Sequence, residues 1–388
     1  MEQFIREHLN DPHPERLLLS AARYPGVPVA EAVTQIQALQ KLRHKAPAWY
    51  NTALRFPLRL SIEQASSGVT AAFKASLVQG KTMADLTGGL GIDAQAFSQH
   101  FENVVYLDQN PQLAALARHN FAVLGAANVE VLEGEAGAFL EKNTQRFDLI
   151  YLDPARRNAQ GGRVFRLEDC TPDVLNLRTK LLACADRVLI KTAPMLDIAL
   201  AMRQLELVQK VWVISVDDEV KELLFLLEKN AGFLENIPIV AVNLGKTPFQ
   251  FVFSRKEEQH AAAELSEPQT YLYEPPATIF KAGAFNTFAV RFGLKKLHAH
   301  THLYTSDVLN PKAPGRVFRI NSVTKYDKKA VAAVIPGGQA NVAVRNFPDT
   351  ADSVRKKLGL KDGGEVYVFA VTTGEGKKIL VGGKINQD

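Results

Sequence analysis

The chain has 388 residues, 46% of them apolar and 22% charged, with two cysteines and a formal net charge of +5. That length leaves room for two or three domains, and so few cysteines exclude a disulfide framework and fit a reducing cytoplasm. No apolar run approaches the ~20 residues that span a bilayer, and the N-terminus (Met-Glu-Gln-Phe-Ile-Arg-Glu-His) lacks a signal-peptide core, so a cytoplasmic protein with no membrane partner is expected.

Residues 1–75 read as a helical N-terminal segment. Phe4, Ile5 and Leu9, then Val29, Val33, Ile36, Leu39 and Leu42, recur at helical spacing. Pro12, Pro14, Pro25, Pro28, Pro47 and Pro57 cut the segment into short pieces. Residues 60–77 lead into the first strand. Gln64, Ser66, Ser67 and Thr70 stand there as hydrogen-bonding groups for a ligand, or Ser66 caps a helix.

Residues 82–86 predict a buried strand, Gly88, Gly89 and Gly91 a turn, and residues 92–100 a helix. A strand that breaks into glycines and restarts as a helix lets a ligand press against bare backbone, and the helix start favours an anionic group. Gly89-Leu90-Gly91 with Ala94 also fits the loose dinucleotide pattern G-x-G-x-x-A, so this stretch by itself leaves a nicotinamide enzyme open. A second strand, 103–107, ends on Asp108, 23 residues after Asp85, the interval of one βαβ unit. A third strand, 129–132, leads into Glu133-Gly134-Glu135, and a fourth, 147–152, ends on Asp153-Pro154-Ala155-Arg156-Arg157. Asp85, Asp108, Glu135 and Asp153 therefore stand at four successive strand tips, which line one crevice in an open α/β sheet. Such a row suits a cationic amine, a ribose diol and an adenine amine, and S-adenosylmethionine carries all three.

On these residues the stretch 82–200 resembles the class I S-adenosylmethionine-dependent methyltransferases. Asp-Leu-Thr-Gly-Gly-Leu-Gly-Ile-Asp (85–93) is similar to the family's first motif, Asp108 to its ribose acid, Glu135 to its adenine-side acid, and Asp153-Pro154 to its fourth motif at the reacting methyl. The resemblance implies S-adenosyl-L-methionine as cofactor, held by Asp85, Thr87, Gly88, Gly89, Gly91, Asp108, Gln109, Glu135, Ala136 and Asp153. It implies Asp153, Pro154 and Arg156 as the catalytic set, with no metal. In relatives that methylate amino groups of bases, an acid or amide, two prolines and an aromatic close this strand. Here Ala155 replaces the second proline and Arg156 the aromatic. Arg156 can stack on a base or hold a phosphate. No Cys-Asn-Pro follows the fifth strand, so Cys170 and Cys184 read as buried small residues rather than nucleophiles.

After the fourth strand, residues 158–166 are glycine-rich and basic and read as a mobile loop. Residues 187–191 predict a fifth strand, 195–205 a helix and 210–216 a sixth strand, while 220–227 fits either a helix or a buried strand. Residues 237–243 and 249–254 predict further strands, and the charged stretch 256–267 an interdomain linker.

Beyond it, residues 267–388 carry 18 Lys and Arg against 10 Asp and Glu, a net of +8 that leaves −3 for the rest. A basic segment of this kind suggests a polyanionic partner, most simply RNA, or else a solvated lysine-rich surface. Strands at 270–273, 297–304, 316–322, 341–345, 365–372 and 378–382 and helices at 277–292, 328–334 and 351–358 predict a small α+β module, with a subdomain split near Arg319. His298, His300 and His302 would share one strand face, either as metal ligands or as an RNA-facing surface. Arg355-Lys356-Lys357 with Lys361 either compensates a helix dipole or contacts phosphate. Tyr-Leu-Tyr-Glu-Pro (271–275), Lys281-Ala-Gly and Pro314-Gly-Arg-Val-Phe-Arg resemble a THUMP-like RNA-binding module with a ferredoxin-like partner.

The expected fold is therefore α/β: a helical segment 1–75, a Rossmann-like doubly wound methyltransferase domain 76–265, and a basic THUMP-like α+β domain 266–388 with a ferredoxin-like subdomain. The expected activity is methyl transfer to a base of structured RNA. Methylation of a small molecule or protein, or RNA binding without catalysis, stands beside it.

Overall fold

The computed structural model describes residues 1–57, 62–156, 166–232 and 234–385. Its contacts fall into two units, Met1–Ile214 with Lys221–Glu235, and Ser215–Val220 with Asn236–Asp388. The first unit ends at Glu235. Among the described residues no helix is long and apolar enough to cross a membrane.

The first unit opens with α1 (Glu2–His8) and α2 (Val29–Lys45). Pro14 and Pro47 sit in the first turns of short 3-10 helices, where a missing N–H costs nothing. One face of α2 buries Val29, Val33, Ile36, Leu39 and Leu42, as the helical spacing requires. Buried Gln35 on that helix donates to the Phe56 carbonyl and accepts from the Phe56 N–H, both at 2.8 Å. Asn120 clamps the backbone of Arg55 in the same way, both bonds at 2.9 Å. The N-terminal segment is thereby tied to the α/β body, which begins with α3 (Gly68–Ser76). Ser67 caps α3 by accepting from the Thr70 N–H; Ser66 does not.

The body continues β1 (Gly80–Asp85), α4 (Ile92–Phe97), β2 (Phe101–Asp108), α5 (Pro111–Val123), β3 (Val129–Glu133), α6 (Ala136–Lys142) and β4 (Phe147–Leu152). A two-residue ribbon, β5 (Ala155–Arg156) with β6 (Cys170–Thr171), precedes α7 (Val174–Cys184), β7 (Ala185–Thr192), α8 (Ile198–Leu205), β8 (Val208–Val216) and β9 (Glu219–Glu228). The strands lie in the order β8-β9-β7-β4-β1-β2-β3. β1–β2, β2–β3, β1–β4 and β4–β7 are parallel, and β9 joins β7 antiparallel. The chain steps from β1 outward to β3, then returns to the other side of β1 as β4. The carboxyl ends of β1 and β4 therefore flank the switch point where open α/β sheets bind ligands. Residues 220–227, open between helix and strand in the sequence, lie within strand β9.

In the second unit β10 (Pro238–Leu244) and β11 (Phe249–Ser254) form an antiparallel hairpin followed by α9 (Arg255–His260). The stretch expected to be a linker is thus built into the unit: Glu258 on α9 accepts from the Asn286 and Thr287 N–H groups at 2.7 and 2.9 Å. The remaining strands are β12 (Tyr271–Glu274), β13 (Lys295–His298), β14 (Thr301–Ser306), β15 (Arg316–Thr324), β16 (Asn341–Arg345), β17 (Val366–Thr373) and β18 (Gly376–Ile385). They make one sheet in the order β13-β14-β12-β15-β18-β17-β16, with β15 in its middle. Helices α10 (Ala277–Ala282), α11 (Phe285–Phe292), α12 (Lys328–Val334) and α13 (Ala351–Leu358) complete the unit. The one helix expected over 277–292 breaks at Gly283, which adopts φ +78°. Along β17, Val368 and Ala370 join one core and Phe369 and Val371 another, so both faces of the sheet are covered.

The histidine triplet is corrected by this arrangement. His298 ends β13, His300 lies in the turn, and His302 belongs to β14, so the three do not share a strand face. His302 instead stacks on Phe285 with ring centroids 3.5 Å apart, and burial lowers its pKa to about 4.

Candidate active site

The glycine loop after β1 is shaped by what crowds it. A Cβ on Gly88 would lie 2.1 Å from the Tyr106 ring, and one on Gly91 would lie 2.7 Å from Phe121. Gly91 also adopts φ +88° as it starts α4, a conformation that side chains resist. The Tyr106 hydroxyl donates to the Gly89 carbonyl at 2.6 Å, and the Gly88 N–H to the Leu107 carbonyl at 2.9 Å. Asp108 closes the turn from β2: one oxygen accepts from the Gly89 N–H and the other from the Asn110 N–H, both at 2.8 Å.

Asp85 is buried at the tip of β1, where Oδ1 accepts from the Thr87 N–H at 3.0 Å. Burial lifts its pKa to about 8; that hydrogen bond opposes the rise, while the carboxylates of Asp93 and Asp153 add to it. The Thr87 hydroxyl accepts from the Asp153 N–H at 2.6 Å, which couples the tips of β1 and β4.

These groups surround a cavity of about 380 Å³, within the ~300–1,000 Å³ usual for small-molecule sites. Its wall includes Asp85, Thr87, Gly88, Gly89, Gly91, Asp108, Gln109, Glu135, Ala136 and Asp153, so all ten residues expected around the cofactor meet in one place. Gln64 and Ser66 join them from the N-terminal side, and Ala155, Thr171 and Pro172 from beyond β4. Pro154 is buried and is not part of this wall. Arg156 lies on β5, but its side chain falls outside the described residues, as do Arg157 and Arg163 of the basic loop. Cys170 and Cys184 are only partly buried. Among the described residues no group of three or more His, Cys, Asp or Glu is placed to hold a metal.

Behind the wall lies an ionic cluster that the sequence did not reveal. Lys74 on α3 is fully buried. Its ammonium pairs with Asp93 at 3.1 Å and Glu222 at 2.9 Å and donates to the Ser66 hydroxyl at 3.0 Å. Asp93, at the start of α4, also accepts from the Ser66 and Tyr151 hydroxyls, both at 2.8 Å. Burial alone would raise the Asp93 carboxyl, but Lys74, Lys191 and these two hydroxyls hold it below the usual range. Lys191, near the end of β7, pairs with Asp153. Lys74 and Lys191 each stand in an apolar surround, in α3 and in Val-Leu-Ile-Lys-Thr (188–192). A lysine in such a place is the one local signal that marked them.

The chain is similar to known proteins over each of its parts. Residues 66–167 match the family described as Conserved hypothetical protein 95, residues 271–314 a ferredoxin-like domain, and residues 315–384 a THUMP domain-like family. A crystal structure of a candidate methyltransferase from Porphyromonas gingivalis W83 is 34% identical with a TM-score of 0.89, covering 99% of this chain and 97% of that one. An uncharacterized S-adenosylmethionine-dependent methyltransferase of Mycobacterium tuberculosis strain CDC 1551 is 23% identical over 320 residues, 81% of this chain and 84% of that protein. A tRNA (guanine(26)-N(2))-dimethyltransferase of Methanosphaera stadtmanae is 26% identical over 131 residues, 32% of each chain.

Proposed function

Since the chain belongs to the S-adenosylmethionine-dependent methyltransferases, we propose that it methylates a base of structured RNA, with the first unit doing the chemistry and the second binding the RNA. The observation that carries the RNA assignment is the second unit itself. Residues 271–384 match a ferredoxin-like and a THUMP domain-like family, and residues 267–388 net +8. The tRNA dimethyltransferase relative lends support over its 131 residues. Phosphate contacts by such a surface supply affinity without regard to sequence.

The cavity suits the cofactor chemically. Its wall carries the carboxyl groups of Asp85, Asp93, Asp108, Glu135 and Asp153 and, among the described residues, no Lys, Arg or His. That donor set favours a ligand with a sulfonium and an ammonium. When bound, S-adenosyl-L-methionine supplies an activated methyl carbon, which passes to a nucleophile while the electrons of the broken C–S bond stay on sulfur. In this reading Asp108 takes the ribose hydroxyls and Glu135 the adenine side. Gly89 presents bare backbone to the ligand, Gly88 and Gly91 let Tyr106 and Phe121 close on the loop behind it, and Asp85, Thr87, Gln109 and Ala136 complete the pocket. Asp153 accepts a hydrogen bond from the nucleophile and aims its lone pair; Pro154 stiffens the strand end, and Arg156 meets the base or its phosphate. Orientation of this kind is a large term in catalysis. In this reading the work is done on a single extruded nucleotide, because a base held in a duplex cannot bring its target atom into the cavity.

Mass spectrometry of RNA nucleosides from cells with and without the protein tests this reading. Loss of one methylated nucleoside, restored by the wild-type gene and not by Asp153→Ala, is expected. An unchanged nucleoside profile turns the assignment toward a small-molecule or protein substrate.

A further inference from the structure

We infer that Lys191 is a positioning residue for methyl transfer: by pairing with Oδ2 of Asp153 it leaves Oδ1 as the oxygen that receives the N–H of a nitrogen nucleophile. The inference deepens the RNA-base reading and rests on it.

Strand register carries the argument. β4 and β7 run parallel with Leu152 beside Ile190, so the next step sets Asp153 beside Lys191, with side chains on the same face of the sheet. Lys191 is 8% exposed, whereas the Asp153 side chain is 35% exposed and part of the cavity wall. The cation is therefore behind the carboxylate and the ligand space in front of it. Lys74 already pairs with Asp93 and Glu222, which leaves Asp153 to Lys191. From the other side, the Asp153 N–H is held by the Thr87 hydroxyl at 2.6 Å, and Thr87 by Asp85. The carboxylate is fixed at its backbone by the β1 loop and at one oxygen by β7.

Stability alone gives little reason for a lysine here, because an apolar side chain of similar volume commonly serves a protein interior as well or better. The ammonium is not a proton acceptor either. Burial works against its charge, but Asp153, Asp93 and Glu222 outweigh burial and hold it protonated. The site then suits a nucleophile whose lone pair is available before its proton leaves, which is a nitrogen of a base. The lone pair becomes the new N–C bond, the electrons of the C–S bond stay on sulfur, and the surplus proton leaves along its hydrogen bond to Oδ1 and on to water.

The test uses the full-length chain, with Lys191→Met, Lys191→Arg and Asp153→Asn. Lysine-selective NMR at neutral pH should show two slowly exchanging side-chain ammonium signals, from Lys74 and Lys191, and Lys191→Met identifies the second. Asp153→Asn should shift or erase that signal and leave the first in place. Calorimetry with S-adenosylhomocysteine should give Lys191→Met a dissociation constant within about threefold of wild type. Its single-turnover methyl transfer to total RNA from cells lacking the protein should fall on the order of 100-fold at saturation, with the half-saturating RNA concentration little changed, and Lys191→Arg should recover to within about tenfold. A Lys191 signal indifferent to Asp153→Asn overturns the inference. So does wild-type transfer by Lys191→Met, or a parallel loss of product binding and rate. If the wild type itself methylates nothing in that RNA, the RNA reading fails, and the ammonium signals still decide the pairing.

Discussion

The hydroxyl of Ser66 lies 2.8 Å from Asp93 and is also the acceptor for the Lys74 ammonium at 3.0 Å. One small side chain thus bridges the segment before α3, the start of α4 and the buried cation beneath the cavity. Ser66→Ala should leave Asp93 and Lys74 each one partner short, at a cost of about 1–3 kcal/mol in stability. Because Ser66 also lines the cavity, cofactor affinity should fall with it. Urea unfolding and titration calorimetry on the same preparation check both effects.

Asp108→Ala should weaken S-adenosylmethionine binding by about 1.5–3 kcal/mol, the scale of a charge-assisted hydrogen bond. The same change removes the acceptor for the Gly89 and Asn110 N–H groups, so the glycine loop should lose hydrogen-exchange protection. Calorimetry and exchange measurements on that loop separate the two contributions.

Asp85 should make stability fall with rising pH. Its carboxyl titrates near 8 in the folded chain and at about 3.9 when unfolded. Below pH ~4 both states hold the proton. Between there and pH 8 the unfolded chain has released it while the folded chain keeps it, so unfolding gains; above pH 8 the loss levels off. Asp85→Asn should flatten that part of the profile. Urea midpoints at three pH values between 5 and 9, wild type against variant, give the comparison.

Glu222→Ala should be among the most damaging single changes in the first unit. It takes from the fully buried Lys74 one of its two carboxylates and leaves Asp93 as the other, and a buried charged group left one hydrogen-bond partner short costs about 1–3 kcal/mol. Glu222→Gln keeps a hydrogen-bond acceptor and should cost less. Chemical denaturation of the two variants measures the difference.

Lys356→Glu with Lys361→Glu should weaken RNA binding and leave cofactor binding unchanged. Each lost phosphate contact should also lower the salt dependence of binding by roughly one unit of slope. Filter binding of total tRNA across a salt series provides both numbers. Unaltered affinity and slope would remove this helix end from the RNA surface.

Much of the crevice was legible because its geometric requirements are local. Gly91 must adopt a left-handed turn, Gly88 must lie against Tyr106, and each acid must stand where its strand ends; all three leave marks within a few residues. The partners of Lys74 and Lys191 leave none. Glu222 is 148 residues from Lys74 and Asp153 is 38 from Lys191, and a lysine read by itself looks like surface. The histidine triplet misled for a related reason. Alternation suggested one strand, but a turn at Ala299 and His300 divides it, and neither residue has the glycine or proline that usually announces a turn.

The long reach from Lys74 to Glu222 also bears on how the chain is made. A ribosome adds about 5–20 residues per second, so the 148 steps from Lys74 to Glu222 take roughly 7–30 seconds. During that interval α3 and the glycine loop exist without Glu222, the carboxylate that later shares Lys74 with Asp93. The first βαβ unit can form its parallel pairs early, but the floor of the crevice is finished only when β9 emerges. A newly made chain therefore completes the surroundings of this cavity late, after every described residue that lines it has already left the ribosome.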